Sequence, residues 1–143
     1  MDHCSSADTS ARPCAIRLRL AGGYFLIQGL ATIIWWALLL RIPDARSWFL
    51  DPTWDWEFIR LFAPADIVAF GGASLCAGVL AIGRSRYSIH SAWLICGAAL
   101  YAMLMTLTMF DQDRVTSLAL MLMVFALACT VLAALLISRE CRR

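Results

Sequence analysis

Polar and apolar residues along this chain are sorted into blocks rather than interleaved. Four long apolar runs, about Leu18 to Leu40, Leu61 to Ile82, Ser91 to Phe110 and Val115 to Ser138, are separated by polar connections. Each approaches the ~20 residues that cross a ~30 Å hydrocarbon layer as an α-helix. Backbone amides in lipid must be bonded within their own segment or in a closed barrel, and runs this continuous lack the alternation of barrel strands. The pattern predicts an all-α membrane protein with four transmembrane helices in an antiparallel bundle. The short connections at 83–90 and 111–114 require the helices they join to be antiparallel neighbours.

The remaining segments follow from the same pattern. Residues 1–17 are polar and contain Pro13, which predicts a disordered cytoplasmic tail, and residues 139–143 form a basic cytoplasmic tail. The domain between them runs over 18–138. Its long connection, between the first and second runs, carries Asp51 and Pro52, an N-cap acceptor followed by proline at the first helical position. Trp54, Phe58, Leu61 and Phe62 then recur at helical spacing, which predicts a short amphipathic helix over about 52–62 at the membrane interface. Trp35, Trp36, Trp48, Trp54 and Trp56 would form an aromatic belt at that depth.

Composition agrees with a membrane chain. The 143 residues are 62% hydrophobic with a mean hydropathy of +0.74, well above the ~45–50% apolar share of soluble domains. The chain has no lysine, so orientation rests on arginine. Eight arginines fall in the N-terminal segment, the 83–90 loop and the C-terminal tail, against four (Arg41, Arg46, Arg60, Arg114) on the opposite side. Positive charge collects on the cytoplasmic side, so both termini are expected in the cytoplasm of a bacterial cell, with the chain in its inner membrane. The bacterial source is suggested by the exclusive use of arginine, whose codons are mostly GC-rich. Cys4, Cys14 and Cys141 then lie in a reducing compartment and Cys76, Cys96 and Cys129 within spans, so no structural disulfide is expected.

Candidate chemistry is sparse. Asp66, just after Pro64, is the one acid inside a predicted span and the best catalytic candidate. It reads first as a helix-start carboxylate beside free amides, or as a partner for Arg60 or Arg41, and otherwise as a functional group. Tyr24, Gln28, Thr32 and Trp35 make a polar stripe on the first span, and Gly97, Tyr101, Met105, Thr108 and Gln112 a counterpart on the third. Such stripes face the bundle interior as interhelical glue. Their alternative use, with Asp66 and Arg60, is an outward-opening site for a lipid headgroup. Sulfur is sorted by depth, with Met105 and Met121 among methionines in outer halves and Cys76, Cys96 and Cys129 in inner halves, a pattern a soft ion such as Cu(I) would use.

No nucleotide, zincin or other family motif is present, and no cofactor is expected. Three functions follow in order: a non-enzymatic accessory, assembly or scaffold component; a lipid-binding or lipid-modifying enzyme with its site near Asp66; and a soft-metal carrier. The expected partners are membrane lipids and a membrane protein or a second copy, with no nucleic acid.

Overall fold

Helix α1 runs without a break from Asp8 to Arg41. The computed structural model describes residues 8–49, 56–111 and 116–141, and every regular element among them is helical. After α1 come two short helices, α2 (Pro43–Arg46) and α3 (Trp56–Arg60). A second long rod follows as α4 (Ala63–Ala65), a π-helical segment (Asp66–Gly72) and α5 (Ala73–Ile82). Two further long helices are α6 (Ser88–Asp111) and α7 (Ser117–Cys141). Four segments, Ile16–Arg41, Ala63–Ile82, Ser88–Asp111 and Ser117–Glu140, are long and apolar enough to cross a bilayer. The protein is an all-α, four-helix membrane protein, as the apolar runs predict.

One expectation changes. Residues 8–17, expected in a disordered tail, are helical, because α1 starts at Asp8. Pro13 removes one backbone bond near the helix start without ending it, and Arg17 is anchored to Glu140 at 2.8 Å. At the other end of the chain α7 carries the helix into the basic tail as far as Cys141. The start of the amphipathic helix at Asp51 and Pro52 lies outside the described residues, and its described part is the single turn of α3.

The four spans form a ring in which α1 packs against α5 and α7, and α6 packs against α7 and α5. The α1–α5 seam is built on glycine. Gly22 lies against Gly78 and Ile82, and Gly29 against Gly71 and Leu75, so residue numbers rise along one helix as they fall along the other. A Cβ on Gly29 would stand 2.7 Å from the Gly71 carbonyl oxygen, and one on Gly78 would stand 2.8 Å from the Gly22 carbonyl. Only glycine lets two backbones approach this closely, and in lipid, close packing is a main force joining helices. The α6–α7 seam uses alanine instead, with Ala92, Ala99, Ala133 and Ala134 all buried.

Two apolar cores result. The larger lies toward the Arg17 end and includes Leu18, Phe25, Ala77, Ile95, Ala134 and Ile137. The smaller closes the other end around Trp36, Leu39 and Ala63, with Trp35, Phe49, Trp56 and Phe62 packed on it. Thr116 fastens this end by donating its hydroxyl to the Trp48 carbonyl at 3.0 Å and its N–H to the Phe49 carbonyl at 3.2 Å. At the opposite end the turn after α5 closes through Arg84, whose φ of 55° takes the left-handed conformation. There Ser85 N–H reaches the Leu80 carbonyl at 2.9 Å.

Candidate functional site

Polar groups inside an apolar bundle need partners, and most of the pairs found here involve one helix, α1. From the Arg17 end upward, Arg17 donates to Glu140 at 2.8 Å. Tyr24 meets the Thr130 hydroxyl and donates to the Ala126 carbonyl, each at 3.0 Å. Thr130 donates to Gln28 Oε1 at 3.1 Å, and Trp36 Nε1 donates to Asp66 at 3.2 Å. One end of each of these ties is on α1 and the other on α7 or the second span, while α6 is tied separately to α7, where Trp93 Nε1 donates to the Ser138 hydroxyl at 3.0 Å. Residues 17, 24, 28 and 36 are spaced by seven, four and eight, which keeps them on one face of a helix.

The centre of this line is a buried polar cluster. Gln28 is 8% exposed and Thr130 fully buried. Cys96 donates its thiol to the Thr130 carbonyl at 3.7 Å, so the cluster joins α1, α6 and α7. Ser74, fully buried on α5, completes the set of interior polar residues at the middle of the bundle. Thr130 was missed from the sequence, and Ser74, four residues before Gly78, reads there only as a small packing residue. Thr130 had a signal, since it is the only hydroxyl between Ser117 and Ser138. Glu140 was also missed: the charge pattern assigns it to a solvated tail, whereas its side chain is only 2% exposed against Arg17.

The predicted site residues are not gathered at one place. Gln28 is in the central cluster, while Thr32 spends its hydroxyl on the Gln28 carbonyl at 3.0 Å. Trp35 packs against Phe49 with ring centroids 3.9 Å apart and the ring planes tilted by 58°. Asp66 is half-buried as the fourth residue of its span, close to the expected helix start, and takes the Trp36 indole rather than an arginine. Arg60 instead pairs with Glu57 at 2.7 Å, both largely exposed.

The third-span stripe faces the wrong way for a shared cavity with Gln28 and Asp66. Tyr101 is 64% exposed, Thr108 is exposed and bonded to its own helix, and no atom stands within 4 Å of a Cβ placed on Gly97. The reason is steric. The inward face of α6 is taken by Ser88, Ala92, Ile95, Cys96 and Ala99, all but Ile95 small enough to let α6 close on its neighbours. The sulfur residues are similarly dispersed: Cys96 is buried, Cys129 and Met105 half-buried, and Cys76 and Met121 exposed on the outside of the bundle. Among the described residues no group of three or more His, Cys, Asp or Glu is placed to hold a metal ion.

Chemically, the interior offers hydrogen-bond donors and acceptors at mid-depth and one carboxylate at each end, each fixed by a partner on α1. No family model, curated protein or solved structure matches this chain. The functional reading therefore rests on its own geometry.

Proposed function

We propose that this small multi-pass membrane protein is a non-enzymatic accessory or assembly component of the bacterial inner membrane, with both termini cytoplasmic. It acts through helix–helix contact at the lipid-facing side of α6. Tyr101 carries this reading. It lies midway along α6, is 64% exposed, and its hydroxyl has no hydrogen-bond partner among the described residues. Tyrosine on a membrane protein ordinarily sits at headgroup depth, where its hydroxyl meets water. At mid-membrane the same group faces hydrocarbon, which offers it nothing. A second membrane helix with a polar group at that depth resolves the mismatch. Gly97, one turn away and open on its outer side, leaves room for that helix to approach.

The test is site-directed crosslinking in native membranes from position 97 or 101, followed by native electrophoresis. The expected result is a discrete adduct at these positions, with no adduct from Leu132 on the exposed side of α7, and loss of the partner in Tyr101→Leu. Equal or absent adducts at all positions would overturn the proposal.

One observation favours the lipid-binding alternative. The π-helical segment opens at Asp66, and such segments recur at functional sites. Asp66 also borders the aromatic cluster of Trp35, Trp36 and Phe62. On that reading Asp66→Asn abolishes lipid binding or turnover while the bundle stays folded. On the leading reading Asp66→Asn is silent.

A further inference from the structure

Thr32, Thr106 and Thr108 each turn their hydroxyl back onto the carbonyl four residues earlier. This is the usual way a helix absorbs such a group in an apolar setting. Ser74 departs from it. Its hydroxyl oxygen is fully buried and has no hydrogen-bond partner. The departure falls where the π-helical segment ends and the Phe70 carbonyl accepts the Ala73 N–H in place of the regular i−4 pattern.

A second orphan lies across the seam. Gln28, 8% exposed, receives Thr130 on its Oε1, while its Nε2 has no partner. Turning the amide over exchanges which of its two atoms is unpaired and pairs neither arrangement fully. The two orphans share a level. Gly29 lies against Gly71 and Leu75, and Gly78 lies against Gly22 and Leu26. Gln28 and Ser74 both fall between these two crossings, and both are buried. Hydrocarbon supplies no solvent to relieve either group.

We propose that Gln28 and Ser74 form a buried binding site for a small uncharged hydroxylic molecule. It pairs with the Gln28 amide and with the Ser74 hydroxyl, and so completes a hydrogen-bonded chain from Thr130 on α7 through α1 to α5. The occupant is uncharged because the site is. Asp66 and Glu140 are held at opposite ends of the bundle by Trp36 and Arg17, and two neutral groups are too few to strip a cation of its water. It is hydroxylic because one hydroxyl both donates and accepts, which satisfies either orientation of the amide. It is small because the core at this end of the bundle is closely packed, with Phe25 and Ala77 fully buried within it. One water meets these requirements with two to four polar partners, and the hydroxyl of a small membrane-soluble alcohol meets them equally.

The chain contains two glutamines, Gln28 and Gln112, and no asparagine, so a nitrogen-15 spectrum of the whole protein shows only two side-chain amide groups. Gln28→Met assigns them, and Gln112→Glu does so by elimination if the first variant does not fold. In lipid vesicles, magnetisation transfer from water to the Gln28 amide protons is expected, and it should be lost in Ser74→Ala. Transfer instead from protons that are neither water nor protein, abolished by delipidation, supports the site and identifies a membrane-soluble alcohol. A Gln28 amide in contact with neither source overturns the proposal, and so does transfer that Ser74→Ala leaves unchanged.

Discussion

Gly29 and Gly23 are six residues apart on one helix, yet alanine should act oppositely at the two. Replacing a helical glycine by alanine ordinarily gains about 0.5–1 kcal/mol from backbone entropy. At Gly23 nothing stands within 4 Å of the new Cβ, so Gly23→Ala should raise the thermal midpoint in detergent. At Gly29 the Cβ meets the Gly71 carbonyl oxygen at 2.7 Å. A carbonyl fixed in a helix cannot rotate aside as a flexible side chain could. Overpacking of this kind costs about 1–3 kcal/mol, so Gly29→Ala should lower the midpoint. Thr130 provides a second residue-scale contrast. Thr130→Val removes the group that meets both Tyr24 and Gln28, whereas Thr106→Val removes only a bond within its own helix. Interhelical bonds in membranes average about 0.6 kcal/mol and reach about 1.7. Thermal unfolding should therefore show a loss near the upper figure for Thr130→Val and little for Thr106→Val.

At the scale of elements, α1 carries most of the interhelical side-chain ties, and its two ends make distinguishable predictions. Arg17→Met leaves the Glu140 carboxylate in a buried position without its guanidinium. Breaking a fully buried pair costs about 3–5 kcal/mol; with Arg17 half exposed to solvent, the loss should be smaller but still exceed that of Arg19→Met. Glu140→Gln should recover part of it in the double variant, which a thermal double-mutant cycle reads directly. The four spans themselves were legible because twenty-residue apolar runs have few alternatives in a membrane. Which face of each run points inward was legible only where polar residues met partners. Tyr24 and Gln28 follow the rule that polar stripes face the interior. Gly97, Tyr101 and Thr108 break it, because alanine size on the opposite face of α6 decides its packing. Glu140 was misplaced for a related reason: charge patterning carries no information about how far a helix continues once a partner such as Arg17 anchors it. The glycine seam was visible as composition, but the pairing of Gly22 with Gly78 and Gly29 with Gly71 depends on the register between helices, which no single run contains.

At the scale of the whole molecule, most polar ties lie inside, on α1, while the side turned to lipid is almost entirely apolar, so mid-membrane Tyr101 stands out as a point of contact. The orientation of that surface can be read from the chain's own thiols. Cys4, Cys14 and Cys141 flank the spans, on the side expected to be cytoplasmic, while Cys76, Cys96 and Cys129 lie within them. A charged, membrane-impermeant maleimide reaches water-exposed thiolates and not thiols in hydrocarbon. With both termini in the cytoplasm, the reagent should leave intact spheroplasts unlabelled and modify inverted membrane vesicles, and serine at 4, 14 and 141 together should abolish that signal. Labelling of spheroplasts would reverse the orientation drawn from the arginines. It would also place the Trp36–Asp66 end at the cytoplasmic face, which would remove the outward-opening lipid site from consideration. The mid-membrane position of Tyr101 would be unchanged by that reversal, so the α6 contact is to be judged by its crosslinks alone.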